Sequence, residues 1–379
     1  MTRSALALVP ASVAIALTLT ACGGGSDAKT ADGKGPITVT ANDTSCELDR
    51  TQAPAGTIEF TVSNKGTKVN EFYVYAAGDR IVGEVENIAP GLSRTFHVEV
   101  AEPGTYETAC KPGMVGKGIR HDFTVTGASA APKTDDAKLR AATASYARFV
   151  GSQSDALLAR TTEFVGLVKA GKVDEAKALY PVARSYWERI EPVAESFGEL
   201  DPKIDGRADV VDEGMKFTGY HRLEQDLWVN GLQADSSAIA DQLLADVTTI
   251  VAEAKKVEFN GLQLANGSKA LLDEMATGKI TGEEERYSHT DLWDFAANWE
   301  GSKGAIAALR PVLQERNPEL VASYDKRAAA LDALVTKHQK GDGYQLYTEL
   351  TPVEVRALSD ALDAVAEDVS KVAGVVAAA

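Results

Sequence analysis

The chain lacks the short motifs that mark most hydrolases and nucleotide-binding enzymes. No His-Glu-x-x-His occurs, so a zinc protease of that type has no second histidine. There is no Gly-x-Ser-x-Gly and no glycine-rich phosphate loop. Ferritin-like di-iron chemistry needs Glu-x-x-His twice, and that is absent too. Positive charge is scarce, with 39 Lys and Arg against 55 Asp and Glu, a net charge of −16. Such a surface repels nucleic acid and anionic lipid and favours cations or basic partners. Cysteine is limited to Cys22, Cys46 and Cys110. What is present is length and apolar content: 379 residues, enough for more than one domain with real cores.

Arg3 precedes an apolar and small-residue run from Ala5 to Leu19, which leads into Thr20-Ala21-Cys22. The run is too short for a comfortable transmembrane helix and reads as a signal peptide over 1–21. Its end resembles a bacterial lipobox, which implies cleavage after Ala21 and lipidation of Cys22. The alternative is an ordinary secretory signal with a chance cysteine. The Gly-rich stretch that follows supports the lipobox, with residues 22–35 as a flexible tether. The expectation is an exported protein, anchored by lipid to the outer face of the cell membrane. In that oxidising compartment, Cys46 and Cys110 would most often form a disulfide.

Residues 36–127 alternate with period two, as in Thr57-Ile58-Glu59-Phe60-Thr61-Val62 and Thr95-Phe96-His97-Val98-Glu99-Val100. Turn signals such as Asn64-Lys65-Gly66 and Glu102-Pro103-Gly104 separate the runs, so an antiparallel all-β sandwich is predicted. Residues 128–136 read as a linker. From 137 to 379 the period is helical, with long segments predicted near 137–170, 173–197, 206–230, 236–258, 262–276, 289–315, 318–339 and 352–373. Asn317-Pro318-Glu319 and the capping box Thr351-Pro352-Val353-Glu354 mark two of the starts. This half is predicted to be an all-α helical bundle.

One stretch of it carries an awkward pair. Phe217, Tyr220, His221, Glu224, Leu227 and Trp228 recur at steps of three and four and share a helical face, with Arg222, Gln225 and Asp226 opposite. An ionised Glu in an apolar stripe costs on the order of several kcal/mol unless it is neutralised. A metal shared by His221 and Glu224, or a buried salt bridge to an Arg, would each remove that cost. Glu188, Glu191 and Glu195 flank a second apolar face around Trp187, and Asp201 and Asp205 follow it. In Glu283-Glu284-Glu285-Arg286-Tyr287-Ser288-His289-Thr290-Asp291, the pairs Thr281/Glu284 and Ser288/Asp291 fit capping boxes. Asp291 then starts a helix, and from there it could also face a metal.

Gly104 to Cys110, followed by Pro112-Gly113-Met114, resembles the loop that carries the copper-binding Cys and Met of cupredoxins. A blue-copper site also needs two histidines. No His stands between Cys110 and Met114, Asn70-Glu71 occupies the place of the first His, and His97 falls on the outward phase of its strand. Cys46, Glu71, Cys110 and Met114 remain as neighbours of a modified metal site or of a disulfide.

Further matches come in order along the chain: Tyr186-Trp187-Glu188-Arg189-Ile190-Glu191-Pro192, Leu200 to Arg207, His221-x-x-Glu224, and Arg286 to Leu292. Together they resemble the EfeO-type family of exported iron-binding components of bacterial iron uptake, which join a cupredoxin-like domain to an imelysin (peptidase M75-like) helical domain. The resemblance implies metal ligation by His221 and Glu224, with Glu188, Glu191, Asp205 and then Asp291 as further ligands. It implies a second metal site at Cys46, Glu71 and Cys110, for which copper or zinc are candidates. Iron is the implied cargo, Fe³⁺ ahead of Fe²⁺, since carboxylates with one imidazole suit a hard cation. The implied partners are a membrane iron permease and a haem peroxidase of the same system. The implied role is binding rather than catalysis. A metallopeptidase of M75 type, a copper electron carrier and a metal-bridged polysaccharide binder are the alternatives.

Overall fold

The computed structural model of the chain describes residues 35–129, 137–194, 200–208 and 216–378. The expected signal peptide, Cys22, almost all of the tether, Glu195 and most of the linker lie outside the described residues.

Nine strands form the first region: β1 (Ile37–Ala41), β2 (Cys46–Leu48), β3 (Gln52–Pro54), β4 (Gly56–Asn64), β5 (Asn70–Ala76), β6 (Arg80–Ile88), β7 (Ser93–Val100), β8 (Gly104–Cys110) and β9 (Ile119–Thr126). They make two sheets, ordered β2-β1-β4-β7 and β3-β9-β8-β5-β6. The period-two pattern explains the core. Ile58, Phe60 and Val62 of β4 all point inward, and the Phe60 ring meets Phe72, Phe96 and Phe123 at 5.2, 5.5 and 5.7 Å. The sandwich is not purely antiparallel as predicted. β1 runs parallel to β4, and β3 runs parallel to β9. The short β2 and β3 carry the chain from the first sheet to the second, and β4 then returns beside β1 in the same direction.

Cys46 opens β2 in one sheet, Cys110 closes β8 in the other, and the two are joined as a disulfide. This corrects the expectation of thiolate ligands. Each sulfur is bonded to the other, so neither has a thiolate to offer a metal.

The second region is helical: α1 (Ala137–Lys169), α2 (Val173–Glu188), α3 (Glu191–Ala194), α4 (Asp201–Ile204), α5 (Gly219–Gln225), α6 (Ser236–Ala254), α7 (Gly261–Thr277), α8 (Asp291–Arg316), α9 (Pro318–Lys337), α10 (Pro352–Val369) and α11 (Val372–Ala377). Trp187, Tyr180, Tyr220, Phe164, Phe295 and Trp299 fill one continuous core. Two of the predicted caps are present: Asn317 accepts from Leu320 N–H at 3.0 Å, and Thr351 and Glu354 close their box at 3.3 and 3.1 Å.

Three departures have local causes. A hairpin of β10 (Gln339–Lys340) and β11 (Gly343–Tyr344) interrupts the helices, its strands too short to show a period. The helix expected over 173–197 breaks after Glu188. Pro192 has no N–H for the Glu188 carbonyl, and Asn298 Nδ2 takes that oxygen instead at 2.9 Å. Of the helix expected over 206–230, residues 209–215 lie outside the described residues, and the part from 216 on is α5 followed by a widened turn over Asp226–Asn230. Asp226, expected on the solvent side, is fully buried and accepts from Ser236 Oγ at 2.7 Å. The sandwich meets the helices at α7, where Asn266 Nδ2 donates to the His97 carbonyl at 2.7 Å.

Candidate metal centre

α5 is seated by a glycine. Gly219 has φ +76°, and a Cβ there would lie 2.1 Å from the Ile204 carbonyl oxygen of α4. Only glycine lets α5 start this close to α4, and the contact brings His221 to Asp205. Tyr220 and Leu223 are fully buried, which drives the same face inward.

His221 is 2% exposed. Its Nδ1 lies 3.2 Å from Glu224 Oε2, and its Nε2 lies 3.6 Å from both Asp205 Oδ1 and Glu284 Oε1. Among the described residues Nε2 has no hydrogen-bond partner. Glu224 Oε1 accepts the backbone N–H groups of Tyr287 and Ser288 at 2.9 and 2.7 Å. Burial alone would raise the Glu224 carboxyl, but His221 and the two amides outweigh it and hold it below its usual range. Burial and Arg184 would depress His221, but the carboxylates of Glu224, Glu284 and Glu285 around it prevail and hold it at about 9.

Two cations share this interior. Arg184 of α2, fully buried, bonds Glu188 and Asp205, and its Nε lies 2.5 Å from Glu285 Oε1 and 3.7 Å from Asp294 Oδ1. Lys279, just after α7, lies within 3.6 Å of Glu188, Glu191, Glu274 and Glu284. From the rim, Arg207 donates to Glu284 Oε2 at 2.8 Å. Asn298 Nδ2 donates to Glu188 Oε2 and Glu191 Oε2 at 3.1 and 2.9 Å. Acid still exceeds base. Burial, with Glu188 nearby, pushes Glu191 well up; burial with Glu224 nearby pushes Glu285 to about 8; burial with Glu285 nearby pushes Asp294 well up. Both Asp294 oxygens are without a hydrogen-bond donor among the described residues.

Three sets of side chains place one ligand atom each within 4.8 Å of one another: Asp205, His221 and Glu284; His221, Glu224 and Glu285; Glu188, Glu191 and Asp205. An oxygen-rich set with one imidazole suits a hard or borderline cation. His221 Nε2, aimed between Asp205 and Glu284, is the nitrogen a cation would take in exchange for the imidazole's proton.

Residues 142–372 match the imelysin (peptidase M75) family, and residues 11–121 match the cupredoxin-like domain. The iron uptake system component EfeO of Escherichia coli O157:H7 is 37% identical over 345 residues, 89% of this chain and 91% of its own length. EfeO of Escherichia coli K12 and of Shigella flexneri are each 36% identical over the same span. The chain belongs to the EfeO family. A solved structure, reduced auracyanin from Roseiflexus castenholzii, covers 24% of the chain at 20% identity and a TM-score of 0.21, too little to carry an argument.

In this member of the EfeO family, five residues expected from sequence fall in three overlapping groups linked through His221 and Asp205: His221, Glu224, Glu188, Glu191 and Asp205. Asp291 does not join the ligand groups. Its Oδ1 accepts the Glu285 N–H at 3.0 Å and staples the turn that presents Glu285. Glu71 lies elsewhere, buried on β5 beside Tyr73, whose hydroxyl is 3.0 Å from Glu71 Oε2. Sequence reasoning missed Glu284 and Glu285 as ligands. The pairing of Glu284 with Thr281 is absent, because Thr281 Oγ1 bonds the Gly278 carbonyl while Glu284 faces Lys279 and Arg207. Arg184, Lys279, Glu274 and Asp294 were missed as well. The one available signal was Arg184 four residues before Glu188, which reads as an ordinary surface pair.

Proposed function

We propose that this chain is the iron-binding component of a bacterial iron uptake system, which takes up Fe³⁺ at the His221–Glu224 site and passes it to a membrane permease. The carrying observation is the buried His221 Nε2 without a hydrogen-bond partner among the described residues, 3.6 Å from two carboxylates. The names of the relatives, which call them components of an iron uptake system, support the cargo. The donor chemistry supports the oxidation state, since carboxylates prefer Fe³⁺ to softer ions. In this reading the chain is exported and held to the outer face of the membrane through a lipid on Cys22. A haem peroxidase of the same system is a further partner. No helix among the described residues is long and apolar enough to cross a membrane, which fits anchoring by lipid.

Binding is favoured over peptide hydrolysis by burial. The described ligand candidates are at most 9% exposed, and a metallopeptidase needs an open cleft for its chain substrate and its metal-bound water. The softer second site is not part of this proposal, because its two thiolates are consumed by the disulfide. The test is metal analysis of the purified full chain beside His221→Ala and Glu224→Ala. Both variants should lose their iron. Wild-type iron content in both would overturn the assignment.

A further inference from the structure

Lys279 sits in the short turn Lys279–Thr281 that follows α7, and it is 1% exposed. Its Nζ lies 3.2 Å from Glu284 Oε1, 3.4 Å from Glu188 Oε2, 3.5 Å from Glu191 Oε1 and 3.6 Å from Glu274 Oε2. A charge-assisted N–H···O bond runs about 2.7–2.9 Å, so all four contacts are long. The ammonium is therefore not pinned to one partner. It stands among carboxylates from four separate segments, as an ion stands in a cage. Arg184 is different: it projects from the middle of α2 and its two terminal nitrogens are hydrogen-bonded to Glu188 and Asp205, with Glu285 beside its Nε. Lysine is a compact point charge on a flexible stem, and arginine is a rigid planar fork.

Glu284 Oε1 connects the cage to the metal centre, because the same atom lies 3.6 Å from His221 Nε2. A metal held by Asp205, His221 and Glu284 would face the ammonium across one shared oxygen, and the two charges repel. The turn that bears Lys279 is bounded by Gly278 and by Gly282 at φ +72°. It is fastened from outside by Tyr347, whose hydroxyl donates to the Ile280 carbonyl at 2.5 Å. The stem can thus swing without moving a long helix.

We propose that Lys279 is a tethered counter-ion that stabilises the metal-free centre and is displaced when a metal arrives. The inference rests on the reading of His221 as a metal ligand. Its consequence is that binding is weaker than the ligand set alone would give, which suits a protein that must release its cargo.

The test uses the purified full chain, with Fe³⁺ supplied as its citrate complex and citrate alone as control. Acetylation of Lys279, followed by mass spectrometry, should rise on the order of 10-fold on loading, as the buried amine is expelled. Lys279→Met should hold Fe³⁺ on the order of 10-fold more tightly in citrate competition, with a larger gain in Tm on loading. Lys279→Arg, which keeps the charge, should stay near wild type in affinity. Continued protection of Lys279 in the loaded wild type would overturn the proposal even if the Met variant failed to fold. So would a folded Lys279→Met that binds no tighter. His221→Ala separates the two ideas: if it loses iron while Lys279 stays protected in the loaded wild type, the site stands and the counter-ion falls.

Discussion

The helical region and the β sandwich both bury carboxylates, and they neutralise them differently. On the sandwich, Tyr73 OH lies 3.0 Å from Glu71 Oε2 and 3.0 Å from Glu86 Oε1. One hydroxyl has one proton to give, so the second contact calls for a proton on a carboxyl. Lys111 stands 4.1 Å over the Tyr73 ring and tempers the acids without pairing with them. Burial pushes Glu71 to about 7 and, with Glu71 beside it, Glu84 to about 8. The helical cluster instead holds Arg184, Lys279 and His221 as internal cations, which keep Glu224 and Glu284 ionised despite burial. Protons balance the first cluster; in the second, side-chain cations keep part of the acids ionised while Glu191, Glu285 and Asp294 are still pushed up. Only the second holds cations that a metal could replace. The clusters also feel each other, since Glu274 of α7 raises Glu71.

The sharpest way to break this contrast is Arg184→Met. Removing the cation leaves buried charge uncompensated, and the metal-free protein should lose about 3–5 kcal/mol in chemical unfolding. Lys111→Met, in the proton-balanced cluster, should lose less than about 1 kcal/mol. Equal losses would erase the distinction. Next in size is the disulfide, which spans 64 residues. Replacing Cys46 and Cys110 by Ala should cost about 2–4 kcal/mol while iron content stays at the wild-type level. Loss of iron there would return the cysteines to the metal site.

A smaller effect concerns pH. Glu71 and Glu84 have folded-state values of about 7 and about 8, above the ordinary 4.5, so the folded state holds the extra protons. Stability is then complete below about pH 4.5 and falls as pH rises through 7 to 8. For Glu71→Gln, unfolding measured from pH 5 to 9 should show a shallower fall, by no more than about 3 kcal/mol. An unchanged slope would mean that protons do not balance this cluster. The smallest effect serves as a control outside both clusters: Thr351→Ala should cost about 1 kcal/mol, read as a drop in Tm, and leave iron binding untouched.

Much of this was legible in the residues themselves. Alternation marked β4, β5, β7 and β9, and the 3.6-residue period marked nearly every long helix to within a few positions. The awkward Glu224 in an apolar stripe pointed to the site, because buried charge needs a partner wherever it folds. The parallel β1–β4 and β3–β9 pairs could not be read, since a strand's pattern does not give its neighbour's direction. The break after Glu188 was half visible in Pro192; the amide of Asn298 that takes the freed carbonyl was not.

The sequence by itself determined the two-part architecture, the excess of acid, and the pairing of His221 with Glu224 one helical turn away. These follow from composition and local periodicity, which need no long-range contact. The tertiary structure alone decided what surrounds that pair. Arg184 and Glu285 are 101 positions apart, yet packing of α2 against α8 brings the turn that leads into α8 to within 2.5 Å of Arg184. Lys279 is an unremarkable lysine until folding puts carboxylates of four segments around it. Both metal and salt bridge were open as partners for the buried acids. The fold supplies internal cations and leaves His221 Nε2 without a hydrogen-bond partner among the described residues, because charge balance in a buried cluster is set by which segments meet.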